Sequence, residues 1–129
     1  KLQFEEGEID FVAAPNLTDA AWERWDIQGR PVRVETAGEV IAKKMYHRGD
    51  RATARDLFDL AMVVEREPDA LAAAAPFLLR HRERFLEQIR QPGAGFVATF
   101  EAIAATGYQP SLEHCAQVAT AYLSALKDG

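Results

Sequence analysis

The sequence predicts an α+β domain that is predominantly α-helical, with short β-strands at its beginning and a helical bundle after them. Three observations lead to this prediction. Short β-prone runs occupy the first 36 residues, whereas from Thr36 onward apolar residues recur at helical spacing. Gly and Pro interrupt that spacing several times, which is typical of separate helices in a bundle. The chain has 129 residues, 48% of them hydrophobic, so it is long enough for one modest core.

The strands are predicted from alternation and from turn residues. Three runs are β-prone: Leu2–Phe4, Glu8–Val12 and Arg30–Glu35. Between the second and third runs, Thr18 is predicted to cap a short helix that carries Trp22 and Trp25 three residues apart. These elements make up a first region, residues 1–36.

The helices of the second region, residues 37–129, are predicted from caps and breakers. Thr36 followed by Glu39 is a capping-box pattern, and it begins a helix that ends at Gly49. We predict four further helices, at about 53–67, 68–91, 95–105 and 111–127. The third of the five begins at Pro68 and is expected to run without a break to Gln91.

Composition narrows the functional classes. A net charge of −5 argues against a chain that coats nucleic acid with its whole surface, although local basic runs occur near residues 43–55 and 80–90. The single Cys115 excludes an internal disulfide and suits a reducing cytoplasm. No stretch approaches the ~20 apolar residues that span a membrane. We therefore expect a cytoplasmic protein that does not use a membrane.

The residues most suited to chemistry are Lys44, Arg55, Asp56 and Asp59. A lysine near the end of one helix and two aspartates at the start of the next converge if the helices pack as a hairpin. Nucleotidyl transfer needs carboxylates and cations of this kind, around metal and triphosphate. The simpler and more frequent arrangement is an i,i+4 ion pair of Arg55 with Asp59 on an otherwise solvated face.

Other polar groups have equally simple explanations. Glu8 and Asp10 share one strand face, where they suit either metal binding or a charged edge strand that resists pairing. The arginines from Arg80 to Arg90 favour a solvated helix face, neutralised by Glu83 and Glu87. His47 and His114 have no partner at zinc-ligand spacing.

Taken in order, several short motifs form a pattern that resembles a known family. They are Glu35-Thr36, Glu39 to Met45 with Lys44 inside it, Arg48-Gly49, and Ala54-Arg55-Asp56-Leu57-Phe58-Asp59-Leu60. This pattern resembles the AbiEii/AbiGii-type nucleotidyltransferases, the toxins of type IV toxin–antitoxin systems. The resemblance covers residues 8 to 66, and it implies that the strands belong to a nucleotidyltransferase-like sheet.

The resemblance implies roles for individual residues. Lys44 and Asp56 match active-site residues, and Asp10 matches a third carboxylate on a strand, so these three are the expected catalytic residues. Lys44, Arg48, Arg55 and Asp59 are the expected substrate-binding set, and Glu8 and Asp10 the expected metal ligands. Mg²⁺ or Mn²⁺ is the implied cofactor, and a nucleoside triphosphate (NTP) is the implied substrate.

The implied reaction is transfer of a nucleoside monophosphate to an RNA or protein acceptor, in a protein whose implied partner is an antitoxin. The family's Gly-Ser and Asp-x-Asp motifs are absent from this sequence. We therefore expect the chain to be the C-terminal part of such an enzyme, inactive on its own. The alternative is a non-catalytic module that binds a partner protein or forms a homo-oligomer through its sheet edge. A third reading is a small RNA binder that uses the 43–55 basic run.

Overall fold

A computed structural model describes residues 16–103 and 107–126 of the chain, with the side chain of Val32 excepted. Two strands and five α-helices lie in that part: β1 (Trp22–Ile27), β2 (Arg30–Glu35), α1 (Ala37–Arg48), α2 (Ala54–Arg66), α3 (Arg82–Arg90), α4 (Ala94–Glu101) and α5 (Leu112–Ala125). Three short 3-10 turns, Gly49–Arg51, Pro68–Leu71 and Ala75–Leu78, connect them. The predicted class, α+β and predominantly α, is confirmed.

Strands β1 and β2 form an antiparallel hairpin, with Trp22 opposite Glu35 and Ile27 opposite Arg30. Gln28 and Gly29 connect them with φ angles of 52° and 78°. Two consecutive positive φ angles define the tight hairpin turn whose twist matches that of paired strands. The predicted Arg30–Glu35 strand is confirmed. The predicted runs at 2–4 and 8–12 lie outside the described residues.

The short helix predicted to carry the two tryptophans is wrong, because Trp22 and Trp25 belong to β1. Cross-strand pairing with β2 outweighs the three-residue spacing that suggested a helix. Thr18 caps no helix here: its hydroxyl donates to Glu39 Oε1 at 2.7 Å. A contact between residues 21 positions apart therefore replaced the local cap.

Helix α1 begins where the sequence predicted. The Thr36 hydroxyl accepts the Glu39 N–H at 3.1 Å, which is the expected N-cap bond. The Glu39 side chain does not return this bond, because it accepts the N–H groups of Leu17 and Thr18 instead. Residues 38–45 of α1 are all buried, so the helix runs through the interior.

The long helix predicted from Pro68 to Gln91 is wrong, since two 3-10 turns precede α3 in that range. Pro76 lies in the second turn, and a proline there has no N–H to donate to the residue four positions back. The remaining predicted helices match α2, α4 and α5 to within a few residues.

The core lies where α2 packs against α1, α4 and α5. Its largest fully buried apolar side chains are Ile41, Leu57, Leu60, Val63, Leu71, Leu78, Phe85 and Leu123. Cys115 is also buried. Among the helices that the structure describes, none is long and apolar enough to cross a membrane. The division into regions 1–36 and 37–129 stays a prediction.

Candidate functional site: a buried charge cluster between helices α1 and α2

Helices α1 and α2 bring five of the predicted site residues together. Lys44 Nζ lies 2.9 Å from Asp59 Oδ2 and 3.5 Å from Asp56 Oδ1. Arg48 pairs with Asp56, and Arg55 pairs with Asp59. We name this set, Lys44, Arg48, Arg55, Asp56 and Asp59, the α1–α2 cluster.

Helical geometry explains why these residues converge. Lys44 and Arg48 are four residues apart and share one face of α1, while Asp56 and Asp59 are three apart on α2. The turn at Gly49–Arg51 lets the second helix fold back beside the first. Two faces of opposite charge therefore meet in the interior.

Arg48 and Asp56 form a two-bond pair. Arg48 donates from Nε to Asp56 Oδ2 at 3.0 Å and from a terminal nitrogen to Asp56 Oδ1 at 2.6 Å. A planar guanidinium matches a carboxylate in this way, so the orientation of both groups is fixed. The same Asp56 also completes the N-terminal capping box of α2. Its Oδ2 accepts the Thr53 N–H at 3.0 Å, and its own N–H binds the Thr53 hydroxyl.

Arg55 and Asp59 form the i,i+4 ion pair that spacing suggested, at 3.1 Å. The other half of that simple interpretation, a solvated face, is wrong for Lys44, Asp56 and Asp59, whose side chains are at most 2% exposed. Arg48 and Arg55 keep about a quarter of their side chains exposed, at 26% and 24%. The cluster therefore reaches solvent through its two arginines.

The charges of the α1–α2 cluster favour an anion rather than a cation. Three cationic side chains face two carboxylates, which leaves one net positive charge. Each oxygen of Asp56 and Asp59 already accepts a hydrogen bond from a cationic side chain. These carboxylates do not fit a divalent metal ion, because the neighbouring cations would repel it.

No group of three or more His, Cys, Asp or Glu side chains in the described ranges has the geometry of a metal site. The two expected metal ligands, Glu8 and Asp10, lie outside those ranges. Their assignment, like that of Asp10 as a catalytic residue, stays a prediction.

A second buried ion pair adjoins the first and was missed at the sequence level. Lys43 is fully buried and donates to Glu35 Oε2, and its Nζ lies 3.8 Å from Glu39 Oε2. Within the described part of the chain, Glu35 Oε1 is buried and has no hydrogen-bond partner. The available signal was the i,i+4 spacing of Glu39 and Lys43, together with Glu35 at a strand end beside the Thr36 cap.

The two lysines fix α1 from different directions. Residues 43 and 44 are about 100° apart around a helix, so Lys43 points toward the hairpin and Lys44 toward α2. Rotation of α1 would break both sets of contacts. The second ion pair therefore helps to hold Lys44 and Arg48 in place.

Comparison with known proteins identifies the family of the chain. No curated protein and no solved structure matched the chain significantly. A family model described as "Nucleotidyl transferase AbiEii toxin, Type IV TA system" matches residues 6–127, which is nearly the whole chain. The α1–α2 cluster lies within that match. The chain therefore belongs to the AbiEii nucleotidyl transferase toxin family of type IV toxin–antitoxin systems.

Proposed function

We propose that the α1–α2 cluster binds the phosphates of a nucleoside triphosphate in a nucleotidyl transfer reaction. The observation that carries this proposal is the pair of arginines that are about a quarter exposed, each anchored to a buried carboxylate that Lys44 also contacts. Arg48 and Arg55 are thus positioned before a ligand arrives. Cationic groups fixed in advance stabilise charge without reorganising during the reaction.

In the proposed reaction, a hydroxyl oxygen of the acceptor attacks the α-phosphorus of the NTP, and the hydroxyl proton passes to solvent. The bond from that phosphorus to the bridging oxygen breaks, and pyrophosphate leaves with the bonding electrons. Negative charge grows on the pyrophosphate, where Arg48 and Arg55 would neutralise it and Lys44 would add a buried positive charge. Asp56 and Asp59 keep these three cations in position. They are not metal ligands in this arrangement.

Mg²⁺ or Mn²⁺ would serve the complete reaction, as in nucleotidyl transfer generally, by balancing the triphosphate charge. The α1–α2 cluster needs no metal for its own part, because its cations contact phosphate directly. Phosphate binding at the cluster should therefore persist when divalent metal is removed with a chelator.

Inorganic tripolyphosphate tests the phosphate site. We expect titration calorimetry to detect binding to the wild-type chain, with at least tenfold loss in Arg48→Gln and Arg55→Gln, since each removes a charge-assisted contact. Arg24→Gln is the matched control, because Arg24 is 73% exposed and pairs with Asp26 on the hairpin instead. Equal binding by all three variants and the wild type would refute the phosphate site.

RNA is the acceptor that the surface favours. The two basic segments of the sequence lie side by side: a side chain at Gly49 would meet the Cβ of His81 at 2.9 Å. Arg80 lies over the Tyr46 ring with its guanidinium carbon 4.6 Å from the ring centroid. Arg51 and Arg84 are exposed in the same two segments. We name His47, Arg51, Arg80, His81 and Arg84 the basic surface.

Contacts between the segments support one continuous basic surface. Gln88 on α3 donates to the Ala52 carbonyl oxygen, and Arg80 donates to that of Tyr46 at 3.5 Å. His47 of the basic surface is next to Arg48 in the sequence, so an RNA bound to this surface would bring a hydroxyl near the proposed phosphate site. The competing interpretation is that the arginines from Arg80 to Arg90 lie on a solvated helix face without a function, where Glu83 and Glu87 neutralise them.

Salt dependence separates these two interpretations. We expect the affinity for a short RNA hairpin to fall with salt, because phosphate contacts release counterions, and Arg51→Gln/Arg80→Gln to reduce the slope by about 2. Arg24→Gln/Arg30→Gln on the exposed hairpin is the control pair. An unchanged slope in the first pair would exclude the basic surface. Transfer itself is tested by incubating the protein with α-³²P-labelled NTP and total RNA and measuring label in the RNA.

A further inference from the structure

Arg55 connects the α1–α2 cluster to a neighbouring cavity. Its guanidinium pairs with Asp59, and its central carbon lies 5.4 Å from the centroid of the Phe58 ring. Phe58 is buried, and its ring contacts Phe100 and Tyr108 at centroid distances of 6.1 and 5.2 Å. One aromatic ring therefore separates an arginine of the proposed phosphate site from the interior beyond it.

The cavity beyond Phe58 has a volume of about 400 Å³. Its apolar wall includes Phe58, Phe100 and Val97, and it also touches Gln109, Glu101 and Glu113. The last three side chains are exposed, so the polar side of the cavity faces solvent. We name this space the Phe58 cavity.

The lining of the Phe58 cavity suits a flat heteroaromatic ring with hydrogen-bond donors on its edge. Phenylalanine rings and aliphatic side chains accept the face of any nucleobase. Two carboxylates and an amide provide acceptors for ring N–H and amino groups. The volume also lies within the ~300–1,000 Å³ of typical small-molecule sites.

We propose that the Phe58 cavity holds the base of the nucleoside triphosphate whose phosphates bind Arg48 and Arg55. The inference rests on the proposed function, since Arg55 is the residue shared by the two sites. It adds a base site to a phosphate site, so the chain should bind an NTP more tightly than inorganic tripolyphosphate.

Calorimetric titration of the whole chain with tripolyphosphate and with ATP, GTP, CTP and UTP tests the proposal. We expect at least one NTP to bind about tenfold more tightly than tripolyphosphate, since stacking on aromatic rings adds affinity of this order. Val97→Phe should fill the cavity, remove that advantage and leave the affinity for tripolyphosphate unchanged. Gln109→Ala, at an exposed position in the lining, should reduce the advantage.

Ala121→Phe is the matched control, because Ala121 is exposed on α5 and lines a different groove. It should keep the wild-type advantage of the NTP. A cooperative thermal unfolding transition in each variant is the check that its fold is intact.

The remaining outcomes separate the two proposals. If no NTP binds more tightly than tripolyphosphate, or if Val97→Phe and Gln109→Ala both keep the full advantage, the base site is wrong. If tripolyphosphate fails to bind while an NTP binds and Val97→Phe abolishes that binding, the phosphate site is wrong and the base site stands. Failure of every ligand to bind overturns both.

Discussion

The ammonium group of Lys44 lies 2.9 Å from Asp59 Oδ2, and neither side chain is more than 1% exposed. When one member of a charge pair this deeply buried is removed, water does not reach the other member to solvate its charge. Removing one member therefore costs more than forming the pair contributes, because the other charge stays in the interior.

For Lys44→Met, we expect a loss of about 3–5 kcal/mol in the free energy of unfolding, since Asp56 and Asp59 would each lose the buried ammonium. Urea denaturation measures this loss. Arg51→Met is the control, and it should change stability by less than about 0.5 kcal/mol because Arg51 is largely exposed. A loss below about 1 kcal/mol in Lys44→Met would mean that the lysine is neutral or hydrated.

The Lys43–Glu35 pair allows a double-mutant test. Lys43→Met should destabilise the chain by about 3–5 kcal/mol, because it leaves the buried carboxylates of Glu35 and Glu39 without their cation. Adding Glu35→Gln removes one of those charges and should recover at least about 1 kcal/mol. Additive losses in the double variant, measured by the same denaturation experiment, would show that the two side chains do not interact.

Gly38 is predicted to tolerate no side chain. A methyl group there would overlap the Ala70 carbonyl oxygen, which is backbone and has little freedom to move. Gly38→Ala should therefore cost about 3 kcal/mol or more. Gly95→Ala is the matched control, because α4 leaves open space at that position. It should stabilise the chain by about 0.5–1 kcal/mol, as alanine does in a helix. Equal thermal midpoints for the two variants would contradict the packing of α1 on the Pro68–Leu71 turn, which contains Ala70.

Glu65 should make stability depend on pH. The Tyr108 hydroxyl donates to its carboxylate at 2.9 Å, and this bond holds the pKa of Glu65 below its ordinary value of 4.5, with help from His114. The folded state then binds fewer protons than the unfolded state just below that value. The contribution of Glu65 is complete above pH 4.5 and is lost as the pH falls through the lowered pKa.

Glu65→Gln tests this dependence. The variant should have a lower melting temperature than the wild type near neutral pH, and the difference should shrink as the pH falls below about 4.5, the ordinary pKa of the glutamate carboxyl. The variant Glu113→Gln serves as the control, because Glu113 is exposed at the start of the same helix as His114. If the difference in melting temperature between Glu65→Gln and the wild type stays constant with pH, titration of the Glu65 carboxylate is not its cause.

The sequence predicted the helices that hold the site better than the strands that precede them. Local caps at Thr36 and Thr53 mark the starts of α1 and α2, and a local signal can be found without a structure. The hairpin depends on pairing between β1 and β2, and the positive φ of Gln28 is not apparent from its residue type. Pro76 did carry a signal, since it breaks a pattern that otherwise reads as one helix.

The site residues were predicted to converge only on the condition that the two helices pack as a hairpin. Spacing identified the Arg55–Asp59 pair, and the family pattern identified Lys44 and Asp56. Burial of Lys44 depends on contacts that cross from α1 to α2, which periodicity within one helix does not reveal. The role of Lys43 is hidden for the same reason, because its partner Glu35 belongs to a strand.

Asp56 links helix initiation to the assembly of the α1–α2 cluster. A single oxygen, Oδ2, accepts both the Thr53 N–H that begins α2 and the Arg48 Nε from α1. If α2 has not formed, Asp56 is therefore not in position to bind Arg48. A phosphate can then contact Arg48 only as a solvated side chain that no carboxylate orients. Affinity for tripolyphosphate then reports how much of the population is folded, and saturating ligand should raise the melting temperature by mass action.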